Sequence, residues 1–214
     1  MSKPSTGEFD LDAFSLGLNA ETDRACGVLG AALLDARLEA VFRRRLRCFQ
    51  DELLGRMSPL GSFSARIRAA RALGWISDDA NVDLDTIRGV RNNFAHSADP
   101  SLSFTDQSIA DRCLNLRSAN AYVNGFDVAA TAPGRALSSH AIEAMRSAFI
   151  SPRQRYQLAV EFLAQYLDAL PPNLSDYAGP DLLVELQALS ANVKITVAAQ
   201  ASVTPAPSGD ANAK

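Results

Sequence analysis

The segment from Ser58 to Ser97 constrains the fold more than any other stretch, because it carries start and stop signals for two consecutive helices. A breaker-rich turn, Ser58-Pro59-Leu60-Gly61-Ser62-Phe63-Ser64, precedes a short Arg-rich helix through Ala65, Ile67, Ala70 and Leu73. Gly74 stops it, since glycine readily takes the left-handed conformation that a helix C-terminus asks for. Ser77 and Asp78 open a second helix with Leu84, Ile87, Val90 and Phe94 at helical spacing, and Pro100 closes the segment. Two capped helices in 40 residues leave little room for a sheet.

The flanks repeat the pattern. Thr22 or Asp23 can cap a long helix that carries Val28, Leu29, Leu33, Val41, Phe42, Leu46 and Phe49 and is expected to continue to Leu54 before Gly55. Ser103 or Thr105 caps a helix through Ile109, Cys113, Leu114 and Leu116. The sequence turns loop-like from Ser118 to Arg135, and a shorter helix can hold His140 to Phe149. Ser151 then caps a last core helix with Pro152 at its first position, and Pro171-Pro172 ends it. No period-two run exceeds about five residues. The expected architecture is an all-α bundle of five to seven helices. Residues 1–20 read as a flexible leader, 21–172 as one helical domain, 173–200 as a peripheral helix or loop, and 201–214 as a disordered tail.

Composition removes several classes. The net charge of −3 argues against holding nucleic acid by bulk electrostatics. The longest uncharged apolar run, Ala25 to Leu34, is too short for a bilayer, and the N-terminus lacks a hydrophobic signal core. A cytoplasmic protein without membrane contact is expected. Cys26, Cys48 and Cys113 are odd in number and lack metal-ligand spacing, which fits neutral thiols in a reducing compartment. No metal site and no cofactor are expected.

Two histidines limit catalysis by proton transfer, and no zinc-protease or nucleophile-elbow motif occurs. The chemistry concentrates in Arg91-Asn92-Asn93-Phe94-Ala95-His96. A histidine can move a proton in metal-independent RNA cleavage, an arginine can stabilise charge on the phosphorus oxygens, and Asn92 and Asn93 can orient groups or bind phosphate. On a continuous helix Arg91 and His96 lie about 140° apart, so they converge only if the helix ends between them or two copies pair. The structural reading has Arg91 bonded to carbonyls, Asp83 or Asp85, with His96 capping the helix C-terminus. His140 reads as an exposed polar residue.

A second cluster, Arg37, Arg43, Arg44, Arg45 and Arg47, crowds one helix with Glu39 as the only opposing charge. Arg43, Arg44 and Arg47 are candidate binding residues, against the plain alternative of a solvated helix face. The helix pair 65–73 and 79–95 has the size of a helix-turn-helix, but Asp78, Asp79, Asp83 and Asp85 would face phosphates. No specific DNA binding by the chain alone is expected.

The segments "PLGSFSARIRAARALGWIS", "IRGVRNNFAHS" and "LSFTD" resemble the mannitol operon repressor family, and "DRACGVLGAALLDARLEAVF" and "SPRQRYQLAVEFLAQYL" look like its first and last core helices. The resemblance spans roughly Asp23 to Leu170. It implies a helical transcriptional regulator that works through contacts with another protein, and self-association as a homodimer fits it. Arg91 and His96 also fit the arginine, four-residue gap, histidine motif of HEPN domains, with a polar residue directly after the arginine. That second resemblance implies a metal-independent endoribonuclease with paired subunits and RNA as substrate. A small-molecule sensor with a pocket between helices remains a third class. The non-catalytic regulator leads.

Overall fold

A computed structural model describes residues 10–122 and 151–171, and every regular element among them is helical. The elements are α1 (Leu11–Ala20), α2 (Asp23–Arg45), α3 (Gln50–Leu54), α4 (Phe63–Ala72), α5 (Asp78–His96), α6 (Gln107–Leu114) and α7 (Pro152–Ala169), with a further helical stretch at 117–122. The fold class is all-α. The expected helix at 140–149, the peripheral segment at 173–200 and the tail at 201–214 lie outside the described residues.

Helix α2 is the axis, and its small residues decide how closely the others pack. A Cβ on Gly27 would stand 2.3 Å from the Phe94 ring of α5, and one on Gly30 would stand 2.9 Å from the Tyr156 ring of α7. The absent side chains therefore let α5 and α7 both lie directly against α2. Arg153 at the start of α7 pairs with Asp23 at the start of α2, and Arg37 pairs with Asp168 near the other end, so these helices run parallel. Helix α5 runs antiparallel to α2: its last turn meets Gly27, while Trp75, just before it, packs its ring 4.8 Å from Phe42.

The core formed this way holds Phe42, Phe94, Phe104, Tyr156 and Tyr166 fully buried. Phe94, Phe104 and Tyr156 form a run of tilted rings 5.0 and 5.1 Å apart. Buried tyrosines need partners for their hydroxyls. Tyr156 Oη donates to Gly27 O at 2.7 Å, and Tyr166 Oη accepts from Ser77 N at 3.1 Å.

Several local signals act as the sequence implies. Thr22, Ser62, Ser77 and Ser151 each cap a helix, Ser151 in a capping box with Gln154 and with Pro152 in the first turn. Gly74 ends α4 with φ of 68°. Three expectations differ. Residues 11–20, read as part of a leader, form α1, which buries Leu18 and links Ser15 to Glu161 of α7 through a hydrogen bond. The long second helix stops at Arg45 rather than Leu54, because Phe49 turns left-handed at φ 57° and the Gln50 side chain donates to Arg43 O and Leu46 O. Residues 118–122, read as loop, are helical, for a reason set on α5.

That reason is Asp83, fully buried on α5. Its Oδ1 accepts from Arg117 N at 2.8 Å, and its Oδ2 accepts from Ser118 N at 2.8 Å and Ser118 Oγ at 2.6 Å. A helix start needs acceptors for its free N–H groups, and here a carboxylate from another helix supplies them. Burial pushes the Asp83 carboxyl up, opposed by the Ser118 and Arg117 hydrogen bonds.

Candidate functional site

Helix α5 continues unbroken through His96, with Ser97 as its C-cap. Arg91 and His96 are therefore on opposite sides, about 140° apart, and one chain does not bring them together. Both side chains are exposed. Arg91 Nη1 donates to Asn92 Oδ1 at 3.0 Å. Neither Asp83 nor Asp85 receives Arg91, since Asp83 caps the 117–122 stretch and Asp85 pairs with Arg88 at 2.8 Å. Nor does His96 cap α5.

The cap comes from Arg24 on α2. Its Nη1 donates to Phe94 O and Ser97 O, and its Nη2 to Asp99 O. A guanidinium at a helix C-terminus satisfies free carbonyls and meets the negative end of the dipole. Sequence reading missed Arg24 because it lies some seventy residues before the carbonyls it serves. Beside it, Thr22, Asp23, Arg24, Ser97, Ala98, Pro100 and Leu102 line an open hollow of about 500 Å³. Asp23 in that wall is engaged twice, by Arg153 Nη1 and by Phe104 N.

The other arginine cluster divides by residue. Arg44 Nη2 donates to Leu167 O at 2.9 Å, and Arg45 Nε and Nη2 donate to Pro171 O at 3.1 and 2.7 Å. With Arg37 on Asp168, these side chains close the C-terminal end of α7. Arg43 pairs with Glu39 at 2.8 Å and Asp51 at 3.4 Å. Arg47 is exposed and makes no ion pair with a described residue. Of the three arginines expected to bind a partner, Arg44 ties α2 to α7, Arg43 makes surface pairs within α2 and to α3, and Arg47 has no ion pair among the described residues.

The acidic residues of the expected DNA-facing loop sit within α5 and are matched. Asp78 pairs with Arg71, Asp79 with Arg117 and Asp85 with Arg88, while Asp83 faces inward. Burial pushes the Cys26 thiol up to about 11 and the Cys113 thiol up to about 12. Cys48 is exposed. No group of three His, Cys, Asp or Glu side chains among the described residues could hold a metal ion. No helix among them is long and apolar enough to cross a membrane.

No protein-family model matches the chain, nor does any curated protein. A solved structure does: a chain in the X-ray structure of the MtlR–HPr complex from Escherichia coli, at a TM-score of 0.52 and 20% identity. The match covers 73% of this chain and 97% of that one. The fold is MtlR-like. At this identity the similarity concerns the path of the helices and carries no side chain across. In the MtlR-like bundle, the α5 end and the arginine-closed α7 end are thus two sites to be judged on their own chemistry.

Proposed function

We propose that the protein is a regulator of the mannitol-repressor kind that acts by binding another protein and does not read DNA itself. The observation that carries this reading is the fold match, which takes in nearly the whole of a chain solved within a protein–protein complex. The state of two described helices agrees with it: the acidic side chains of α5 are paired or serve as a cap, and the arginines of α4 are engaged. Arg66 is tied to Asp35, Arg68 to Ser64 and Arg71 to Asp78. A cytoplasmic location and self-association belong to the same proposal. HPr is the first partner to test, since the similar fold was solved with it. Titration calorimetry with purified HPr should give a saturable one-to-one complex, and an electrophoretic shift assay with excess competitor DNA should show no specific band. A flat calorimetric titration at about 100 μM of both proteins, weaker than the micromolar range, removes HPr as the partner.

The second reading is a HEPN-like endoribonuclease built on Arg91 and His96. What favours it is that both side chains are exposed rather than locked into the bundle, so a second copy could reach them. Pairing α5 against α5 would be required, with the arginine of one copy beside the histidine of the other. Metal-free cleavage of single-stranded RNA, lost in a folded His96→Ala protein, would establish it; wild-type activity no greater than a mock purification removes it.

A further inference from the structure

Phe49 joins α2 to α3 at a φ of 57°, the left-handed region that suits glycine and asparagine and strains a bulky residue. It holds the N-cap position of α3 yet offers that helix no side-chain hydrogen bond. Its ring recovers little by packing, since the residue is 66% exposed. The backbone is nevertheless fixed in place. Gln50 Nε2 donates to Arg43 O and Leu46 O, and Leu53 N donates to Phe49 O at 3.0 Å. A phenylalanine that strains its own backbone, caps nothing and buries little has no use within its own fold, and such an outlier points outward.

The excursion that carries it, residues 46–61, holds the groups a contact needs. Met57 is 96% exposed. Helix α3 between Phe49 and Met57 rises only about 7.5 Å, so both fit within one contact patch. Arg47, Glu52 and Arg56 are exposed and make no ion pair with a described residue, whereas Asp51 is taken by Arg43 at 3.4 Å. The patch thus presents an aromatic ring, a thioether, two unpaired guanidiniums and one unpaired carboxylate. Each finds its complement in the same set: sulfur favours the edge of an aromatic ring, and arginine favours a carboxylate. Groups that satisfy one another across a two-fold axis make a self-complementary surface, as an isologous dimer requires.

We propose that residues 46–61 are where a second copy of this chain docks, with Phe49 against the Met57 of the other copy and Glu52 against its Arg47 or Arg56. This contact rests on the self-association proposed with the regulator reading and gives it a surface. It works against the ribonuclease reading. The last turn of α5 meets Gly27, about 27 Å along α2 from the Arg45 end where the excursion begins. A dimer joined at the excursion leaves Arg91 and His96 of each copy on the end turned away from the contact and builds no composite site from them.

The test is sedimentation equilibrium of the full chain. The wild type should show a reversible monomer–dimer equilibrium, half complete near about 100 μM, the weak affinity of an interface below about 1,200 Å². Phe49→Asn should weaken the dimer at least about thirtyfold, the loss typical of an aromatic anchor. Diluted to the monomer, this variant should unfold at the same urea concentration as the wild type or a higher one, because asparagine accepts the left-handed conformation. Glu52→Arg should weaken the dimer, and mixing it with an Arg47→Glu/Arg56→Glu chain should restore a mixed dimer. Cys48, the exposed thiol beside Phe49, should react with a maleimide more slowly as the wild type dimerises, and at a constant rate in Phe49→Asn; Cys26 and Cys113 are buried. A wild type that stays monomeric removes self-association and this contact with it. A dimer that forms equally well in Phe49→Asn, or that is lost in Arg91→Ala instead, leaves self-association standing and overturns this surface. So does a Phe49→Asn monomer that unfolds more readily, since the ring would then be packed within its own fold.

Discussion

Two ends of the same bundle use arginine in opposite ways. Where α2 meets the end of α7, Arg37, Arg44 and Arg45 each reach a carboxylate or a carbonyl of the last turn or just beyond it. Nearby, Arg66 is buried and joins α4 to α2 through Asp35, with a further bond to Leu60 O. On α6, Arg112 has no such partner among the described residues, and on α5 Arg91 has only its neighbour Asn92. The first group is architecture and the second is free to meet something else. Density of positive charge in the sequence pointed the other way, toward the crowded cluster at 37–47.

The comparison breaks first if Arg66 can be removed cheaply. Its side chain is only 5% exposed, and truncation would leave Asp35 without its main cation and Leu60 O without its donor. Arg66→Ala should cost on the order of 3 kcal/mol in urea unfolding, the range for breaking a buried pair from one side. A loss below about 1 kcal/mol would place this arginine with the solvated ones.

Asp83 sharpens the comparison from the acidic side. Asp83→Asn should cost about 2 kcal/mol, because one amide cannot accept from the Arg117 N–H, the Ser118 N–H and the Ser118 hydroxyl together. The pH dependence has a definite sign. Burial pushes this carboxyl up, so the folded chain holds its proton more tightly than the unfolded chain. The resulting stability is complete below the ordinary aspartate range, about 3.9, and is lost as pH rises through the folded value. Glu161, also pushed up by burial, contributes a slope of the same sign. Unfolding measured across mildly acid pH should therefore be flatter in Asp83→Asn than in the parent. An unchanged slope would show that Asp83 titrates as it does in the unfolded chain.

The smallest effects separate the two arginine-rich ends directly. Arg44→Ala should lose about 1 kcal/mol, since a charged donor leaves a helix-end carbonyl. His96→Ala should stay within about 0.5 kcal/mol of the parent, as expected for an exposed residue without a partner. If the His96 variant is the less stable, the histidine is a structural cap after all and Arg24 is not sufficient.

Much of the local structure was legible along the chain. Thr22, Ser62, Ser77 and Ser151 act on N–H groups three residues away, and Gly74 acts on its own backbone angle, so the sequence alone contains both partners. The apolar stripe of α5 follows from a fixed helical period, and with it the all-α class and the 140° that divides Arg91 from His96. Tertiary structure decided what involves a distant partner. Arg24 caps α5 from another helix, Asp83 starts the 117–122 stretch from 34 residues away, and Arg44 and Arg45 serve carbonyls more than 120 residues on. Sequence spacing holds no record of those pairings, because the chain fixes only neighbours along its length. Which charges are consumed and which stay free is settled only when the helices pack.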